Sequence, residues 1–209
     1  SDASFGVKLF EHFRQLTYDL AKNPEIAKQW SFLRYYQKII RDYFSSIETQ
    51  SRGLLINLPP GMGKTLIAVA VAMDHMEDNF PIILASKSLH INFITGIKKY
   101  IKMRAEVDPN FAIGKIPEED QDKWIAKNFG FVSMNASNMM DQMVKEAEGQ
   151  VGKEFRKVQS KIEKKRVKEG QYKAAAAMGS LYGKFLIVDE AHNLFRSITN
   201  GSKNGIDLY

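Results

Sequence analysis

The strongest constraint on this 209-residue chain lies between Leu54 and Ala72. Leu54-Leu55-Ile56-Asn57-Leu58 is an apolar run of strand length. Pro59-Pro60-Gly61-Met62-Gly63-Lys64-Thr65 follows, and then Ile67-Ala68-Val69-Ala70-Val71-Ala72, apolar nearly all round. Such a segment suits a helix packed on a sheet. A strand, a glycine-rich turn and a helix in this order form a phosphate-binding loop. Gly61 and Gly63 let the backbone turn its N–H groups inward and approach phosphate oxygens closely. The helix aims its positive end at the same anion. Pro60 and Met62 complete the loop, Lys64 adds a full charge for the β- and γ-phosphates, and the Thr65 hydroxyl suits Mg²⁺.

A second segment adds carboxylates. Phe185-Leu186-Ile187-Val188 reads as a buried strand that runs into Asp189-Glu190-Ala191-His192. Asp189 suits Mg²⁺ held mostly through water, because that small hard cation keeps its hydration shell. Glu190 is the candidate to orient and polarise an attacking water, since phosphoryl transfer depends on positioning and charge stabilisation more than on covalent chemistry. Taken alone, Asp-Glu after a strand is also an N-cap for a following helix. His192 is open to a plainer reading as a semi-buried strand-end histidine. Zinc is disfavoured, since His12, His75 and His90 are the only other histidines, none stands at ligand spacing, and there is no cysteine.

The remaining pattern extends the α/β rhythm. Helices are predicted over 5–29, interrupted at Asn23-Pro24, and over 33–46. The first strand is expected at 54–58, with a helix from Thr65 to about His75. Pro81–Ala85 reads as a second strand, Leu89–Met103 as a helix, Phe129–Met134 as a third strand and 185–188 as a fourth. Strands alternating with helices predict a parallel sheet covered on both faces. Residues 137–183 break the rhythm: they are long, helix-forming and rich in Lys and Arg, and read as an inserted helical hairpin turning near Glu169-Gly170. The segments are therefore 1–50, N-terminal helices; 51–136, the first part of the sheet domain; 137–183, the basic insertion; and 184–209, the acid-pair part.

Composition narrows the setting. Hydrophobic content of 44% and charged content of 26% are those of an ordinary globular domain. No apolar run approaches a membrane span, and the N-terminus lacks a signal-peptide pattern. Zero cysteines exclude disulfides and a thiol nucleophile and fit a reducing, intracellular compartment. The net charge of +6 is compatible with a polyanionic partner. The basic insertion reads either as an arm contacting DNA or as a solvated hairpin.

Pro59-x-Gly61-x-Gly63-Lys64-Thr65 and Asp189-Glu190-Ala191-His192 resemble motifs I and II of superfamily 2 helicases and translocases in their DEAH form. The full phosphate-loop pattern would have Gly at the position of Leu58; the shorter form here is the one that superfamily uses. Leu33-Arg34-Tyr35-Tyr36-Gln37 resembles the segment before motif I in chromatin-remodeller-type and large DNA virus, transcription-associated enzymes. There the glutamine reads the adenine edge, which makes Gln37 an adenine contact; read without the family, it is a polar residue on an amphipathic helix. Ile83–Leu89 resembles motif Ia, which implies nucleic-acid backbone contacts at Ser86, Lys87 and Ser88, with Ser133 and Asn135 in the motif Ib region.

The resemblance covers roughly 32–195 and implies a RecA-like motor domain that binds ATP and Mg²⁺, tracks nucleic acid (DNA in preference to RNA), and couples hydrolysis through His192. Glu190 and Lys64 would be its catalytic residues. Family members continue into a motif III strand, placed between the phosphate-loop strand and the acid-pair strand, and into a second RecA-like domain with an arginine finger. The chain is thus expected to be an N-terminal fragment, weak or inactive alone. Two alternatives use the same residues: the motor subunit of a restriction enzyme, and a nucleotide-gated binding module without turnover.

Overall fold

A computed structural model describes residues 2–45, 53–134, 139 and 184–200. The insertion read over 137–183, apart from Met139, lies outside the described residues, as does Asn135. The elements are helices α1 (Asp2–Lys22), α2 (Pro24–Gln29), α3 (Tyr35–Ser45) and α4 (Lys64–His75). Strand β1 (Phe80–Ala85), α5 (Lys87–Val107), a 3₁₀ turn (Ala112–Lys115), α6 (Glu118–Asn128), β2 (Gly130–Ser133), β3 (Lys184–Val188) and α7 (Ala191–Thr199) follow. They divide between two units, one holding 2–45, 53–75 and 92–123, the other 76–91, 124–134, 139 and 184–200.

In the first unit, Asn23 ends α1 and Pro24 opens α2, where a missing N–H costs nothing. The Thr17 hydroxyl meets the Tyr35 hydroxyl, Phe13 stands edge-on to the Tyr35 ring at 5.3 Å, and His12 pairs with Asp42. These contacts lay α1 against α3. Helix α3 is tied to α4 by a two-point ion pair, Arg41 Nε to Asp74 Oδ2 at 2.6 Å and Nη2 to Oδ1 at 3.0 Å. The Arg41 guanidinium also lies 3.3 Å from the Trp30 ring centroid, and that of Arg104 lies 4.3 Å from it. As its composition predicts, α4 is buried along most of its length, with Val69, Ala70 and Ala72 fully covered.

In the second unit, β1, β2 and β3 form a parallel sheet in the order β2-β1-β3. Ile82 stands opposite both Gly130 and Leu186, and Leu84 opposite Val132 and Val188. The central strand is the most buried, as a near-continuous apolar run predicts. Ile82, Leu84, Val132, Met139 and Leu194 form the core of this unit. The His90 ring lies against Phe131, and its Nε2 meets the Val132 carbonyl at 3.1 Å. Strands running in parallel with helices between them give the RecA-like α/β architecture.

One expected strand is not formed. Residues 53–59 carry no regular structure, and side chains from Leu54 to Leu58 alternate between half-buried and exposed, with Leu55 72% exposed. An extended segment becomes a strand only when its N–H and C=O groups pair with a neighbour. The sheet among the described residues has three strands, and none ladders with 54–58. The other strands and helices fall within a few residues of their predicted limits. Helices α6 and α7 and the 3₁₀ turn were not anticipated.

Candidate nucleotide site

Gly61 and Gly63 adopt φ of 80° and 76°, the left-handed region open to glycine at little cost. The Met62 N–H closes a turn on the Pro59 carbonyl at 3.4 Å, and the first helical bond runs from Ile67 N to Gly63 O at 3.1 Å. The N–H groups of Lys64, Thr65 and Leu66 thus stand at the start of α4 without an intrahelical acceptor, the arrangement that suits an anion. Lys64 and Thr65 are half-buried there, and Pro60 is exposed. This donor set fits a phosphate chain.

Helix α3 holds the loop from behind. The Tyr36 hydroxyl donates to the Met62 carbonyl. Gln37, 3% exposed, accepts from the Arg34 N–H through Oε1 at 2.8 Å and donates from Nε2 to the Gly63 carbonyl at 3.4 Å. A Cβ on Gly63 would lie 2.6 Å from Gln37 Nε2, so a side chain here would be strained by its φ and would also displace the Gln37 amide. The structure therefore turns the Gln37 amide towards the loop. The part played by Tyr36 was not read from the sequence; its position one residue before Gln37 was the available signal.

The acid pair belongs to the other unit. The Asp189 N–H extends the β3 ladder by donating to the Leu84 carbonyl at 3.1 Å. Asp189 Oδ1 accepts the Glu190 N–H at 3.0 Å. Glu190 sits at φ 52°, unusual for a residue with a side chain. Its carbonyl accepts the Asn193 N–H at 2.9 Å, which starts α7, and its Oε2 lies 3.2 Å from His192 Nδ1. The His192 side chain is 60% exposed, which removes the reading of a histidine packed at a strand end. The strand-to-helix turn thus presents two carboxylates and an imidazole together. Carboxylate and hydroxyl oxygens are ligands Mg²⁺ accepts; within its own unit, Asp189 offers the first and Thr65 the second.

The candidate nucleic-acid residues separate. Ser86 follows β1 and caps α5: its carbonyl accepts the Leu89 and His90 N–H groups at 3.0 and 3.2 Å, and its hydroxyl lies 3.0 Å from that of Ser88. Lys87 and Ser88 are exposed in this first turn. Ser133 is 7% exposed, opposite Ala85 at the end of β2. Its side chain is not presented to a partner. No helix among the described residues is long and apolar enough to cross a membrane.

The chain resembles known proteins over most of its length. The family described as type III restriction enzyme, res subunit, matches residues 31–206. Two curated relatives, each named termination factor NPH-I homolog and each from an isolate of African swine fever virus, are 32% and 31% identical over 206 residues. The match covers 94% of this chain and 23% of theirs, so the chain spans about a quarter of the length of these relatives. An ATP-dependent zinc metalloprotease FtsH from Mycoplasma mobile is 35% identical over 79 residues, 38% of this chain and 11% of that protein. No solved structure matches. With the phosphate loop and the acid pair both inside the matched range, the chain belongs to the type III restriction enzyme res subunit family, a superfamily 2 helicase motor-domain family.

Proposed function

We propose that this chain is the first motor domain of an ATP-dependent nucleic-acid helicase or translocase. The observation that carries the reading is the loop itself: two left-handed glycines, Gly61 and Gly63, delivering Lys64 and Thr65 to the start of a buried helix. In this reading Gly61, Met62, Gly63 and the first N–H groups of α4 bind the triphosphate, and Lys64 neutralises its β- and γ-oxygens. Thr65, through its hydroxyl, and Asp189, through water, would hold Mg²⁺, which would supply charge neutralisation. Glu190 orients the attacking water, and His192, in contact with Glu190, couples hydrolysis to movement.

Ser86, Lys87 and Ser88 contact the nucleic-acid backbone, with DNA preferred to RNA. Such contacts fix position and carry little sequence information. A second RecA-like domain is the partner that completes the motor, and the compartment is intracellular. The segments 1–50, 51–136, 137–183 and 184–209 keep the roles assigned from sequence. The name of the viral relatives favours a motor that acts during transcription. The family description favours a second reading, the motor subunit of a restriction enzyme. A nuclease domain in the same polypeptide or complex would decide for the latter. An ATP sensor without turnover is disfavoured by the presence of both Lys64 and Glu190.

The test is calorimetric binding of Mg·ATP to this chain beside Lys64→Ala, then DNA-stimulated ATPase in the intact enzyme. Binding abolished by Lys64→Ala supports the reading; no binding by the folded wild type rejects it.

A further inference from the structure

We infer that Tyr36 is a positioning residue of the phosphate loop, acting on triphosphate affinity through the orientation of one peptide group. The inference rests on the nucleotide reading above. A trans peptide is planar, and its C=O and N–H point in opposite directions. The Met62 carbonyl shares its peptide with the Gly63 N–H, and the Gly63 carbonyl shares its peptide with the Lys64 N–H. Tyr36 holds the first carbonyl and Gln37 holds the second. Two adjacent residues of α3 therefore grip two successive carbonyls and turn the Gly63 and Lys64 N–H groups away from α3.

The two grips differ in consequence. The Gly63 carbonyl also accepts the first helical bond, from Ile67, which fixes that peptide as part of α4. The Met62 peptide precedes the helix and lies between Met62 and Gly63, the second of which has positive φ. A glycine on its C-terminal side lowers the steric cost of rotating it. The Tyr36 hydroxyl restrains it. Helix α3 is itself held to α4 by the Arg41–Asp74 pair, so the restraint is anchored on the helix that the loop feeds.

Tyr36→Phe removes one oxygen and keeps the ring. Inorganic tripolyphosphate, which has no base or ribose, is the probe, measured beside Mg·ATP by calorimetry. The expected result is a loss of affinity of roughly three- to tenfold, equal for both ligands, as removal of one neutral hydrogen bond gives. The circular dichroism spectrum stays as in the wild type, and thermal stability falls by no more than the loss of one neutral hydrogen bond accounts for. In the amide NMR spectrum, the shift of the Gly63 N–H on adding tripolyphosphate is expected to shrink in the variant.

Unchanged affinity for both ligands overturns the inference and leaves the nucleotide reading standing. Weakened ATP with unchanged tripolyphosphate also overturns it, because Tyr36 would then act on the base or sugar. Gln37→Met separates the neighbour: an adenine contact predicts loss for ATP alone. A folded wild type that binds neither ligand rejects the nucleotide reading itself.

Discussion

Gly96 of α5 lies against the methyl group of Thr65: a Cβ on the glycine would sit 2.9 Å from Thr65 Cγ2 and 3.9 Å from Val69 Cγ2. Threonine is stiff about χ1, and turning its methyl away also turns its hydroxyl. Gly96→Ala is therefore expected to weaken Mg²⁺-dependent ATP binding. It also replaces a mid-helix glycine, a change that alone favours α5 by about 0.5–1 kcal/mol. The second substitution Thr65→Ser deletes the methyl and is expected to restore binding in the Gly96→Ala background. A binding cycle over the four proteins checks this; additive effects would show that the two residues do not interact.

Glu190 combines a proposed chemical role with a left-handed backbone, a conformation that costs a residue bearing Cβ about 1–2 kcal/mol. Glu190→Gln should leave Mg·ATP binding in place and lower turnover of the intact enzyme by roughly 10²- to 10⁴-fold. Glu190→Gly loses turnover equally but relieves the strain, so its stability should equal or exceed that of Glu190→Gln. Denaturant midpoints for the pair test the strain, and wild-type turnover by Glu190→Gln would sink the assigned role.

The contrast between these residues explains what the sequence made legible. Gly61, Gly63, Lys64 and Thr65 were readable because φ > 0, a cation and a hydroxyl are properties of residue types at fixed spacing. The acid pair was readable because four apolar residues announce the strand that delivers it. Helix α6 had a signal that went unread, Pro117 followed by Glu118, Glu119 and Asp120 in its first turn. The state of 54–58 could not be read locally, because strand formation depends on a neighbour's backbone and not on its own apolar run. The Tyr36 and Gly96 contacts were equally hidden: each joins residues about 30 positions apart, and only the packed helices bring them together.

Arg41 and Asp74 should matter to stability rather than to chemistry. Their side chains are 19% and 14% exposed, and the guanidinium covers Trp30 as well. Removing one member leaves the other charge largely buried, which costs about 3–5 kcal/mol for a fully buried pair and less here. Arg41→Ala and Asp74→Ala are each expected to lower the urea midpoint by an amount equivalent to roughly 2–3 kcal/mol. The double variant Arg41→Met/Asp74→Leu should recover part of the loss. A double variant no better than the sum of the two singles would show that the stranded charge is not the cause.

Tyr100 gives the chain a stability dependence at alkaline pH. It is fully buried beside Phe32 and Phe111, and its hydroxyl accepts a hydrogen bond from Arg104 Nη1 at 2.9 Å. Burial pushes the phenol above its ordinary value of 10.0, and the Arg104 guanidinium offsets only part of that rise. The folded chain thus keeps a proton that the unfolded chain releases. The resulting contribution is fully present below pH 10.0 and is lost as pH rises through the folded value. Tyr100→Phe forfeits the hydrogen bond, about 1 kcal/mol at neutral pH, but has no proton to lose. Its stability should therefore fall less steeply than that of the wild type above pH 10.0, by up to about 1.4 kcal/mol per pH unit. Urea midpoints for both proteins on either side of that pH decide the matter: parallel declines would mean that the phenol is not the titrating group.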